Sequence, residues 1–244
     1  MTQLEEFRNY AFPQMLSKAA PYGRQIVRHI ERTIGTTAMF FHDVLPNGTP
    51  LDIHVIPPQG AAKTSTHPFG GEFFTLVTSG LSTMPVGTRA KTRGEYLELM
   101  ISLPATWPGF QRNGTLDAQM MDDERYAWPL HWLKRLASQP AGSPPLGQHS
   151  CVPPIENAPP LAPETKLRYL LLAASELHPK SRALMVHDDI QIHFQALWPL
   201  YLEEAAFIRR HGAKTLLSEL HRENITDLVS PRRQPSLTPA RHEA

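Results

Sequence analysis

Cysteine is nearly missing from this chain: its 244 residues include one, Cys151. No intramolecular disulfide can close, so the fold has to be held by burial, for which the length suffices. A net charge is missing too. The 24 Lys+Arg against 23 Asp+Glu leave no global field to draw in DNA, RNA or an anionic membrane surface. Neither a nucleic acid nor a membrane is therefore expected as a partner. No apolar run approaches the roughly 20 residues that span a bilayer. Met1-Thr-Gln-Leu-Glu-Glu6 carries acid where a signal peptide has a basic region, and the expected location is the cytoplasm.

The common signatures of catalysis are also absent. There is no Cys-x-x-Cys, no His-Glu-x-x-His and no His-x-His, and Lys63-Thr64 lacks the glycine frame of a phosphate loop. Ser79 stands where a strand reaches Gly80, but Val77 occupies the first glycine position that a nucleophile elbow requires. Cys151 with His149 sits in a proline-rich stretch that gives no support to a thiolate pair. Twelve histidines keep one chemical option open. Asp52 and His54 share a strand face by period two, and His187 and His193 bracket a second strand. Together they could ligate a metal in a small hydrolase, the alternative to a chain without enzymatic activity, cofactor or metal.

Proline is plentiful, 24 residues, about twice the usual share of roughly 5%. It clusters at 139–163 and again after Ser230, where rings without backbone donors forbid helix and central strand. The first cluster is expected to be a long surface loop and the second a tail. Outside these clusters the apolar period alternates. Ile26, Ile30 and Ile34 fall four apart and predict a helix over 23–34, stopped by Gly35. Met39-Phe40-Phe41 and Leu51-Asp-Ile-His-Val-Ile56 predict strands on either side of Asn47-Gly48. Residues 73–78 and 96–103 predict central strands, the second with Leu97, Leu99 and Ile101 on one face and Glu98 and Met100 on the other. A short helix is expected after Pro129, then strands at 167–173 and 190–198. Helices at 200–211 and 213–221 follow, with Leu202, Ala206, Leu216, Leu217 and Leu220 inward. The fold class is α+β: a mixed, largely antiparallel central sheet with helices packed to one side.

Two stretches, Phe74-Thr-Leu-Val-Thr-Ser-Gly80 and Tyr96-Leu-Glu-Leu-Met-Ile-Ser-Leu-Pro-Ala-Thr-Trp-Pro108, resemble the paired central strands of suppressor of fused-like domains. Asp52-Ile-His-Val-Ile-Pro-Pro58, Trp128-Pro-Leu-His-Trp-Leu-Lys-Arg-Leu-Ala137 and Trp198-Pro-Leu-Tyr-Leu-Glu-Glu-Ala205 follow the same order. The resemblance implies an N-terminal arm over 1–21, the domain over 22–222 and a disordered tail over 223–244. It implies protein binding without catalysis. Bacterial members, many encoded beside polymorphic toxins, are thought to act as immunity proteins, and a cytoplasmic adaptor that sequesters another protein is the alternative. Animal members clamp a peptide between two lobes, and this chain looks too short for the second. The four tryptophans are read as core rather than as a groove. The acidic run Asp122-Asp123-Glu124 is the candidate partner-binding surface, able to steer a basic partner.

Overall fold

The computed structural model describes residues 10–11, 22–45, 48–59, 72–83, 95–117, 119–139 and 146–237. Among these residues the centre is a sheet of nine strands: β1 (Tyr10–Ala11), β2 (Met39–Val44), β3 (Pro50–Ile56), β4 (Phe73–Ser79), β5 (Glu95–Pro104), β6 (Cys151–Val152), β7 (Tyr169–Ala173), β8 (Ala183–His187) and β9 (Ile190–Leu200). The spatial order is β1-β2-β3-β4-β5-β9-β7-β6, with β8 also paired to β9. Every pairing is antiparallel except β5 with β9, which is parallel. A parallel pair needs a long crossover, and here the crossover carries α2 (Glu124–Ala137), β6, β7 and β8.

All seven residues of β4 are buried, which requires cover on both faces of the sheet. The helices expected on one side in fact divide three to one. On one face α1 (Gly23–Thr33), α3 (Leu202–His211) and α4 (Ala213–Arg222) place Ile26, Ile30, Ala205, Leu216 and Leu220 against Val77, Met100, Phe194 and Trp198. On the other face α2 lays Ala127, Trp128, Leu130, Leu133 and Leu136 over Leu76, Leu97, Leu99 and Ile101. The predicted alternation of β5 is therefore observed, with apolar cover on each side.

Three expectations change in detail. The helix expected to start at Pro129 begins five residues earlier. Asp123 caps it by accepting the Arg125 N–H at 2.9 Å, and Pro129 lies buried inside it. The missing proline donor loses one intrahelical bond, which the apolar face of α2 outweighs. The 139–163 segment is more than a surface loop. β6 adds an edge strand to β7, and Leu146, Val152, Leu161 and Ala162 enter the core. In α3 the inward residues are Glu204 and Ala205, while Leu202 and Ala206 are only partly covered.

The largest correction concerns the tail. Residues 223–237 run back along the molecule, with Asp227 and Val229 fully buried and Leu228 bridged in parallel to Ser102. Two buried carboxylates fix this segment. Asp227 accepts from the Ser175 hydroxyl at 2.6 Å and from the N–H groups of Glu176 and Leu177. Glu204 takes the Arg233 guanidinium in a bidentate pair, 2.6 Å on each arm, and the Ser236 N–H at 3.0 Å. Composition forecast a strap too poor in apolar area to order itself; specific charge pairing supplies the difference. Of the expected arm over 1–21, only β1 lies among the described residues, and 238–244 lies outside them.

Candidate functional site

Two of the resemblance-bearing motifs, 74–80 and 96–108, meet at one buried group. Glu98 of β5 is fully buried and burial pushes its carboxyl upward, against four hydrogen bonds that lower it. Those bonds come from the Thr78 hydroxyl at 2.6 Å, the Ser82 hydroxyl at 2.6 Å, and the N–H groups of Gly80 and Ser82 at 3.0 Å. Gly80, at φ +140°, is where β4 leaves the sheet, and a Cβ there would stand 2.3 Å from the Pro50 carbonyl oxygen. Thr-Ser-Gly-Leu-Ser is thus a carboxylate cradle that locks β4 to β5. Ser79 is itself buried in this architecture, away from the exposed position that a nucleophile elbow gives its serine.

The metal alternative meets a geometric obstacle. Asp52 and His54 lie on β3 and His193 on β9, with β4 and β5 between them. Three strand spacings are roughly 14 Å, far beyond the reach of one ion. Among the described residues no group of three or more His, Cys, Asp or Glu side chains is placed to hold a metal. Asp52 instead accepts from His42 Nδ1 at 2.6 Å. The Cys151 thiol is pushed up to about 11 by burial, the opposite of what a thiolate nucleophile needs.

The acidic run has unequal members. Asp122 ends a short 3-10 turn, Met120–Asp122, and is exposed, as is Glu124 in the first turn of α2. Asp123 is already engaged as the cap, and Arg125 closes on it at 2.6 Å, holding its carboxyl below the usual range. Arg125 also reaches Glu164 at 3.4 Å. Next to the run in sequence, Arg125 lines a cavity of about 770 Å³ between the start of α2 and the docked C-terminal segment, walled by Trp107, Tyr126, Trp128, residues 224–226 and residues 228–233; the three acidic residues themselves lie outside its lining. Trp107 and Trp128 meet edge-on at 6.0 Å, and Trp107 Nε1 donates to the Tyr126 carbonyl at 3.0 Å. Trp107, Trp128 and Trp198 are buried, as expected of core residues. Two of them nonetheless wall the groove. Sequence reasoning missed the groove because its other wall is the segment read as a tail; Arg233, Glu204 and Asp227 are far apart in sequence and carry no shared motif.

The arrangement is an α+β domain: a mixed sheet covered on both faces, with an aromatic groove between the start of α2 and the C-terminal segment. Residues 47–234 match the family model of the suppressor of fused protein (SUFU), and the chain belongs to that family. No curated protein matches the chain in sequence. Solved structures share the fold, three of them as follows. A SUFU homologue from Neisseria gonorrhoeae aligns over 89% of this chain and 97% of its own, with TM-score 0.52 and 14% identity. Drosophila Suppressor of Fused aligns over 93% of this chain, with TM-score 0.63 and 15% identity. This chain spans 54% of that protein's length. A chain of the Sufu–Fu complex aligns over 90% of this chain and 93% of its own, with TM-score 0.58 and 14% identity.

Proposed function

We propose that this chain is a non-catalytic protein-binding domain that neutralises a partner toxin in the cytoplasm by covering its active site. The observation that carries the reading is family membership across 47–234. A chain of similar fold solved in the Sufu–Fu complex adds support. The bacterial homologue is matched over nearly its whole length, and bacterial members of the family are thought to act as immunity proteins, which supports this reading. The binding surface is the groove beside α2. Its aromatic wall suits an apolar anchor, and Asp122 and Glu124, outside the lining but within three residues of Arg125 in sequence, supply exposed negative charge, since Arg125 already pairs with Asp123.

The test is to co-express the chain with the product of the adjacent open reading frame, then measure growth and association rate. Rescue of growth and one-to-one inhibition are expected. Replacing Asp122, Asp123 and Glu124 by serine should slow association and flatten its salt dependence while leaving the melting midpoint within a few degrees, because serine also caps helices. Absence of binding and of protection would sink the immunity reading. Binding without protection would favour an adaptor that sequesters its partner, as the Sufu–Fu complex suggests.

A further inference from the structure

A second cavity, of about 360 Å³, lies on the opposite face of the sheet between α1 and the β2–β3 hairpin. Its volume is in the lower range of small-ligand sites, roughly 300–1,000 Å³. His54 lines it and is 4% exposed, yet neither ring nitrogen has a hydrogen-bond partner; the Thr37 hydroxyl beside it is also buried and unpartnered. Buried polar groups are normally satisfied, and each exception costs on the order of 1–3 kcal/mol. A purely structural histidine would be bonded, as His29 is to the Ser181 carbonyl at 2.9 Å. At position 54 an apolar side chain would fill the sheet face without that cost.

The remaining groups define what could enter. Arg24 and Arg28 stand one turn apart on the exposed side of α1 and both line the cavity. No carboxylate among the described residues pairs with either. Glu31 also lines it, and so does Asp52, whose carboxylate is held by His42. Two cations facing two anions disfavour a polyanion. Burial keeps His54 at about 4, so at neutral pH its imidazole offers one donor and one acceptor. Phe40 supplies an apolar wall.

We propose that this cavity binds a small organic monoanion that also carries a hydrogen-bond donor, of amino-acid or hydroxy-acid size. Its carboxylate would sit at Arg24 and Arg28 and its donor would turn toward His54 and Asp52. This site goes beyond the partner-binding reading and is independent of it, lying on the other face from the groove.

The experiment takes the full chain and a panel of the twenty standard amino acids with lactate and glycerate. It follows the melting midpoint and the ring-nitrogen signals of 15N-labelled histidine. At about a hundredfold excess over Kd, at least one acid should raise the midpoint by roughly 5 °C and move the His54 signals. Sodium chloride or sulfate at equal ionic strength should do neither. The doubly substituted Arg24→Gln, Arg28→Gln chain changes only exposed side chains and should fold normally but lose the response. A panel that shifts neither signal overturns the proposal. So does a shift matched by sulfate, or one kept in full by the double variant.

Discussion

At the scale of the residue, burial decides more than spacing. His54 is the clearest case. Its folded value of about 4 lies below the ordinary 6.5, so the unfolded chain takes up a proton first as pH falls. Stability held above pH 6.5 is lost between about 6.5 and 4, by about 3 kcal/mol if the shift is fully expressed. Arg24, Arg28 and Glu31 on α1 and Asp52, which His42 holds, face the same cavity. Burial raises the carboxyls of Asp52, Glu98 and Asp227. Those groups act in the opposite sense, since the folded state protonates them first. Denaturant titrations of the parent and of His54→Leu across pH 4–7 separate the two: the difference curve should slope across this window, and a flat difference would refute the shift. Glu98→Ala should cost several kcal/mol in the same assay, because it strands the N–H groups of Gly80 and Ser82 inside the sheet. A loss below about 1 kcal/mol would mean that the cradle contributes little.

At the scale of the element, the strap over 223–237 is held by charge rather than by apolar area. Arg233 is largely covered, bidentate to the fully buried Glu204, and stacked on the Tyr201 ring at 4.8 Å. Its guanidinium also donates to the Pro199 carbonyl at 2.9 Å. Arg233→Ala leaves an uncompensated carboxylate and should destabilise by about 3–5 kcal/mol. Converting the pair to Met and Leu should recover much of that loss. Urea unfolding of the single and double variants provides the check. If Arg233→Ala is neutral, the pair is not holding the strap.

At the scale of the whole molecule, the strap belongs to the same cooperative unit as the sheet, because Val229 and Asp227 reach both the core and the turn that follows β7. A chain ending at Arg222 should lose its melting midpoint by many degrees or fail to stay soluble, whereas one ending at Leu237 should unfold like the full chain. Equal midpoints for the three lengths would show that the strap only rests on the surface. The groove depends on the same segment, so the shorter chain should also lose its partner.

Short-range pattern by itself determined the elements with strong periodicity: α1 from Ile26 and Ile30, β3 and β4 from their β-branched and aromatic residues, β5 from its period-two apolar face, and β9, α3 and α4 to within a few residues. It also determined the facing of Leu97, Leu99 and Ile101, because a strand's period of two leaves only two choices once one face is apolar. Tertiary structure decided the rest. β1 and β6, two residues each, are too short to declare themselves, and β8 is passed over although residues 183–186 are apolar; each is a strand because a neighbouring strand offers its edge. The start of α2 moved past Pro129 because an apolar face overrode a local breaker. The cavity beside His54, the groove beside α2 and the strap that walls it arise from residues separated by tens to more than a hundred positions. A buried carboxylate's choice of partner is a property of the folded interior, where an unpaired charge costs most, and no local pattern encodes it.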